Sequence, residues 1–156
     1  ESGVHLKIHE QHLWKPKHSK PFQLNLNRDA NVAILKLFPG ISENVVNAIF
    51  GIPNLRGIVL ETYGSGNAPT EKWFINCIDN AIKNNIHVIN VTQCSGGSVS
   101  MGNYETSTQL KNSGVISGKD ITTEAAITKL MHLLGNEISH KTMKTAFETT
   151  ICGEMI

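Results

Sequence analysis

The stretch Gly57-Ile58-Val59-Leu60-Glu61-Thr62, followed at once by Tyr63-Gly64-Ser65-Gly66-Asn67-Ala68-Pro69, decides the fold. An apolar run that empties into a glycine-rich turn reads as a buried strand ending in a loop. Downstream, Thr70 is placed to cap a helix on which Phe74, Cys77, Ile78, Ala81 and Ile82 recur at steps of three and four, and Asn84-Asn85 ends it. Ile86 to Val91 is the next strand, so the central block is a β-α-β unit with parallel strands. Upstream, Val32 to Phe38 is interrupted only by Lys36 and closed by Pro39-Gly40, which predicts another buried strand. Ser42 then opens a short helix carrying Val45, Val46 and Ile49.

Beyond Val91 the pattern continues at lower amplitude. A second glycine-rich loop, Gln93 to Gly102, precedes a weak helical segment near Tyr104 to Asn112 and a short apolar piece, Gly114 to Ser117. Asp120 or Thr122 starts an amphipathic helix with Ile127, Leu130, Met131 and Leu134 inward, and Glu124 sits where the helix dipole favours an anion. After Gly135-Asn136, Ser139 begins a last helix with Met143, Ala146 and Phe147 on its apolar face. The expected fold is α/β: a small, mostly parallel sheet with helices on both faces, a Rossmann-like three-layer domain over residues 31–156. Residues 1–30, polar and broken by Pro16 and Pro21, read as a linker or an arm wrapped over a body elsewhere.

Length and charge set outer limits. The 156 residues suffice for one core, and 14 Lys plus Arg against 13 Asp plus Glu give a net charge of +1, with no basic cluster dense enough to track phosphates. Nucleic-acid and membrane-surface roles are therefore not expected, and neither a transmembrane run nor a signal peptide is visible. Cys77, Cys94 and Cys152 form neither a CxxC pair nor an even set, which suggests reduced thiols in a cytoplasmic protein. The chain opens on Glu1 rather than Met, directly before strand-like Val4 to His9, as expected of a piece cut from something longer. On that strand His5 and His9 would stand about 13 Å apart. With His12 they read as solvent-facing side chains of an edge strand, and no metal or cofactor is expected.

Chemistry in an open parallel sheet sits in the loops leaving the carboxyl ends of its strands, here Thr62 to Pro69 and Thr92 to Gly102. Gly64-Ser65-Gly66 is no dinucleotide fingerprint: Pro69 takes the third glycine's place, and Asn90-Val91-Thr92 supplies no acidic residue for a ribose. Two readings stay open. The turn offers backbone N–H groups and a helix amino end to a carboxylate, with Asn67 at its tip, or it is only a tight turn in which Asn67 takes a left-handed backbone. His87, His132 and His140 fall before a strand, inside a helix and at a helix start, so no hydrolytic triad forms within the chain. Cys94 follows a strand, where either a nucleophile or a plain buried thiol can stand.

Several motifs in register then carry a resemblance. Leu60 to Pro69, Asn90-Val91-Thr92-Gln93-Cys94, Met101-Gly102-Asn103-Tyr104 and Gly114 to Ala125 together resemble the carboxyl-terminal domain of bacterial cytoplasmic (type I) L-asparaginases. Leu37-Phe38-Pro39-Gly40-Ile41 and Gly153-Glu154-Met155 fit as well, and the likeness runs unbroken from about Ser2 to the end.

The resemblance implies a two-domain homodimer or homotetramer that hydrolyses L-asparagine to L-aspartate and ammonia. Its nucleophilic threonine and the groups that support it belong to an amino-terminal domain, so none of the catalytic residues is expected in this chain. What the resemblance assigns here is substrate positioning by Asn67, with Gly66, in the active site of a neighbouring subunit, and a place for Tyr104 in the same interface. A carboxamide suits that task because it donates to a carboxylate and accepts from an ammonium without adding charge. Type I members also bind asparagine as an effector near the positions of Glu61, Tyr63 and Cys94. Some carry arginine where Glu61 stands, and a carboxylate cannot take its place against the effector's own carboxylate. The alternative reading is a small-molecule binding or regulatory domain for an amino acid or nucleotide.

Overall fold

Pairing of Gly57–Thr62 with strands on both sides makes it the first of two central strands of a four-stranded parallel sheet. The computed structural model describes residues 23–102 and 105–156, with a few isolated positions between 8 and 21. The elements are β1 (Val32–Lys36), α1 (Glu43–Phe50), β2 (Gly57–Thr62), α2 (Lys72–Lys83), β3 (His87–Thr92), α3 (Glu105–Ser113), β4 (Ile116–Ser117), α4 (Thr123–Gly135) and α5 (His140–Glu148). Spatial order equals sequence order, β1-β2-β3-β4. Successive right-handed crossovers that always advance the same way put their helices on one face. α1 and α2 accordingly share a core with β2 built on Leu60, Phe74 and Ile78, and Leu110 of α3 joins it. α4 and α5 close the other face over Val59, Ile89, Leu130, Met143 and Phe147. Each such fully buried Leu, Ile or Phe stabilises the fold by about 1.5–3 kcal/mol relative to an exposed one. The expected α/β fold, with a parallel sheet covered on both sides, is the one observed.

Differences from the sequence reading are local and have causes. Val32 to Phe38 is not a strand buried on both sides: β1 is an edge strand, and Ile34 and Phe38 are about half exposed. α2 begins at Lys72 with Glu71 as its cap residue, so Thr70 does not cap it. On α4 the inward face is Ala126, Lys129, Leu130, Leu133 and Leu134, while Ile127 and Met131 are half-buried. The face rotates because Lys129, polar in the sequence, turns inward to an ion pair. Its Nζ donates to Glu154 Oε1 at 2.5 Å and to Thr149 O at 2.8 Å, and the ammonium stands 5.1 Å from the Phe147 ring centre. Thr122 caps α4 as expected, its hydroxyl accepting from Ala125 N–H at 3.3 Å.

The end of the polar amino-terminal stretch lies on this domain. Asp29 N–H donates to Met131 O at 2.9 Å, and Arg56 pairs with the Asp29 carboxylate at 2.6 Å. Gly135 permits the approach, since a Cβ there would fall 2.5 Å from the Arg28 backbone. Of the strand expected for Val4 to His9 only Ile8 is described, and it is exposed and in no strand; His5, His9 and His12 lie outside the described residues.

Candidate functional site

The loop after β2 is a closed turn. Tyr63 and Asn67 exchange both backbone hydrogen bonds at 2.8 Å, and Gly66 N–H also donates to Tyr63 O at 3.0 Å. Such closure needs left-handed backbone at two positions, and Gly64 (φ 51°) and Gly66 (φ 107°) supply it. Asn67 is not left-handed, so the turn is closed by its two glycines and not by that residue. A side chain at Gly66 would also collide, its Cβ falling 2.8 Å from Val99 Cγ1.

Buried polar groups on β2 and β3 hold the turn in place. Asn90 is fully buried; its Oδ1 accepts from Thr62 Oγ1 at 2.7 Å and its Nδ2 donates to Gly66 O at 3.1 Å. Thr92 Oγ1 donates to Gly64 O and in turn accepts from Cys94 N–H at 3.0 Å. From the next loop, Ser100 N–H donates to Ser65 O at 2.9 Å. The Asn90 carbonyl accepts from Gly118 N–H at 2.8 Å, so Asn90 ties the loops after β2 and β4, while Ser100 and Val99 bond the loop after β3 to the same two neighbours. Sequence reading missed the role of Asn90 and Thr92, which it treated only as lacking an acid. The available signal was two polar residues at the end of an otherwise apolar buried strand, where each must find a partner.

At the tip, Asn67 Oδ1 accepts from Thr106 Oγ1 of α3 at 2.7 Å, while its Nδ2 has no acceptor among the described residues. The amide is thus held by one end with a donor left to use. Tyr104, expected nearby, lies outside the described residues.

Glu61, Tyr63 and Cys94 do not line one hollow. Tyr63 lines a groove of about 380 Å³ between the loops after β1 and β2, with Phe38, Pro69 and Trp73. Its phenol is pushed up from its ordinary pKa by burial. Cys94 lines a second groove, about 300 Å³, between the loops after β3 and β4, with Gly97, Asp120, Thr123 and Glu124. The exposure of Cys94 excludes the buried-thiol reading. Between them, the Glu61 carboxylate accepts from Thr123 Oγ1 at 2.7 Å and faces Lys36 Nζ at 3.3 Å. Gln93 braces this region by donating to Leu37 O at 2.7 Å and Glu61 O at 2.9 Å.

None of the three histidines placed by the sequence reading stands at these loops. His87 opens β3 at the opposite edge against His140, and His132 lies on α4 beside Asn136. Among the described residues no group of three or more metal-ligating side chains occurs, and no helix is long and apolar enough to cross a membrane.

Residues 31–147 match the family model of the glutaminase/asparaginase C-terminal domain. L-asparaginase 1 of Escherichia coli is 39% identical over 124 residues, which are 80% of this chain and 36% of that protein. The 60 kDa lysophospholipase of Homo sapiens is 32% identical over 154 residues, 98% of this chain and 26% of that protein. The crystal structure of L-asparaginase I from Vibrio cholerae superposes with a TM-score of 0.83 at 34% identity, covering 90% of this chain and 42% of that one. The chain therefore spans roughly a quarter to a third of the length of the curated relatives it matches. With the family model covering most of its length, it belongs to the glutaminase/asparaginase C-terminal domain family.

Proposed function

We propose that this chain is the carboxyl-terminal part of an L-asparaginase, which converts L-asparagine and water to L-aspartate and ammonia. An amino-terminal domain supplies the nucleophilic threonine, and residues 1–30 connect the two, with the stretch around Asp29 tethered to α4. The chain contributes the turn Tyr63 to Asn67. Asn67, on the glycine pair that includes Gly66, positions the substrate in the active site of a neighbouring subunit of a homo-oligomer.

The observation that carries this reading is the one-ended hold on Asn67. Thr106 takes its oxygen and leaves Nδ2 as a donor for a substrate carboxylate, while the Asn90 and Thr92 bonds fix the turn so that little ordering is left to do on binding. Tyr104 belongs to the same interface. Glu61 already has its partners in Thr123 and Lys36 and presents no cation to an amino acid's carboxylate, so we assign no asparagine activation to Glu61, Tyr63 and Cys94. Three cysteines without disulfides fit a cytoplasmic location.

Ammonia release tests the assignment. The full-length protein should turn over L-asparagine, and residues 1–156 alone should not. Turnover by this chain alone refutes the division of labour, and an inert full-length protein refutes the activity.

A further inference from the structure

At the edge of the sheet opposite the turn, His87 stands first in β3 and is 7% exposed, yet among the described residues its ring makes no hydrogen bond. Its backbone N–H donates to Arg56 O at 2.9 Å, so the main chain is fixed while the imidazole nitrogens go unused. Buried polar groups in folded proteins almost always have a hydrogen-bond partner, which points to one in the space this ring faces. That space is a cavity of about 120 Å³ lined by His87, His140 and Lys144 with Ile82, Ile86 and Ile116. It has room for ordered waters or for one small polyatomic ion.

The surroundings select the charge of the occupant. No carboxylate lines the cavity. Lys144 has no partner among the described residues, and Arg56 acts on His87 through space although its guanidinium is itself paired with Asp29. His140 and Lys144 occupy the first two turns of the nine-residue helix α5. The first amides of a helix have no intrahelical acceptor and carry the positive end of its dipole. The Ser139 carbonyl accepts from the Thr142 and Met143 amides at 3.0 Å, but its hydroxyl caps none, lying 2.8 Å from Thr142 Oγ1, so the His140 and Lys141 amides are the ones without an acceptor among the described residues. The two imidazole rings lie 4.6 Å apart and tilted by 32°. Two imidazoles can ligate a transition metal, but here neighbouring cations oppose a further positive charge, and no third ligand joins them among the described residues. Burial, then the charges of His140 and Arg56, lowers the His87 pKa to about 4, so at neutral pH its ring is an uncharged donor.

We infer that this cavity binds a small tetrahedral oxyanion of the phosphate class, held by the His87 ring, His140 and Lys144 at the amino end of α5. The inference is independent of the asparaginase reading, because the cavity shares no residue with the turn.

The test is a titration of the intact protein with sodium phosphate at constant ionic strength and neutral pH, following the histidine ring carbon–proton NMR signals with His132 as the internal reference. Saturable shifts of His87 and His140 with a constant His132 are expected. Lys144→Gln, a change at an exposed position, should weaken binding about fivefold, the ratio that roughly 1 kcal/mol sets. His87→Phe, which keeps a ring of similar shape without nitrogens, should abolish the His140 response. Non-saturating shifts, or equal affinity in Lys144→Gln, mean an adventitious ion only and overturn the site. AMP binding more tightly than phosphate at these histidines overturns the assignment to a small ion.

Discussion

Replacing Asn90 by alanine removes two hydrogen bonds from the centre of the carboxyl edge, but their losses are unequal. Thr62 Oγ1 keeps an acceptor, because Val91 O lies 3.1 Å from it. Gly66 O is buried and loses the donor that met it at 3.1 Å, an orphaned carbonyl worth about 1–3 kcal/mol. A void of roughly 50 Å³ that fails to collapse adds about 1 kcal/mol at ~24 cal/mol per Å³. The expected destabilisation is therefore about 2–4 kcal/mol, read as a lower urea midpoint with an unchanged slope. Asn90→Asp separates the two bonds: it keeps an oxygen for Thr62 and removes the donor to Gly66, so it should be as destabilising as alanine or more so. On the proposed assignment of Asn67, release of the turn in the full-length protein should raise the KM for asparagine, with kcat changed less. A loss within 0.5 kcal/mol for Asn90→Ala, the range of an ordinary surface change, together with an unaltered KM, would refute the claim that this amide holds the turn.

The remaining predictions concern buried titratable groups. Lys129→Met should cost about 2–4 kcal/mol, below the full penalty for an unpaired buried ion because the amides of Ile151 and Cys152 still hold Glu154, and Lys129→Met with Glu154→Gln should recover at least about 1 kcal/mol in urea unfolding. Burial alone would raise the Glu154 carboxyl, but the bonds from Lys129 and those amides outweigh it and hold the pKa well below the ordinary carboxylate range. The stability this contributes is complete above a pH of about 4.5 and is lost only as pH falls below it. His87 acts in a higher window. Its folded pKa of about 4 lies below the ordinary 6.5, so the unfolded chain takes up its proton first and stability should fall as pH drops from 6.5 towards 4. Unfolding titrations of His87→Phe across that window should show a flatter pH dependence than wild type.

What the sequence made legible follows from periodicity. β2 and its glycine turn were read to the residue, because an apolar run next to Gly64 and Gly66 admits little else. The edge position of β1 was not legible, since Val32 to Phe38 is equally apolar whether one flank or two are covered. Lys129 shows the same limit: a polar residue on a helix defaults to solvent, and only the return of Glu154 from the chain's end reveals why it turns inward. Asn67 could be named from the motif, but its hold by Thr106, 39 positions away, is a tertiary fact. The scatter of Tyr63 and Cys94 between two grooves is likewise set by how neighbouring loops splay, which no local pattern encodes.

On the proposed assignment, Asn67 reaches the substrate of a full-length asparaginase from this turn. Steady-state ammonia release by the full-length protein and its Asn67→Ala variant tests it most directly. Loss of one hydrogen bond to a charged group, about 1.5–3 kcal/mol, predicts a fall in kcat/KM of roughly 10- to 150-fold, carried mainly by KM. A full-length protein that hydrolyses asparagine with the same kcat/KM when Asn67 is alanine would contradict it.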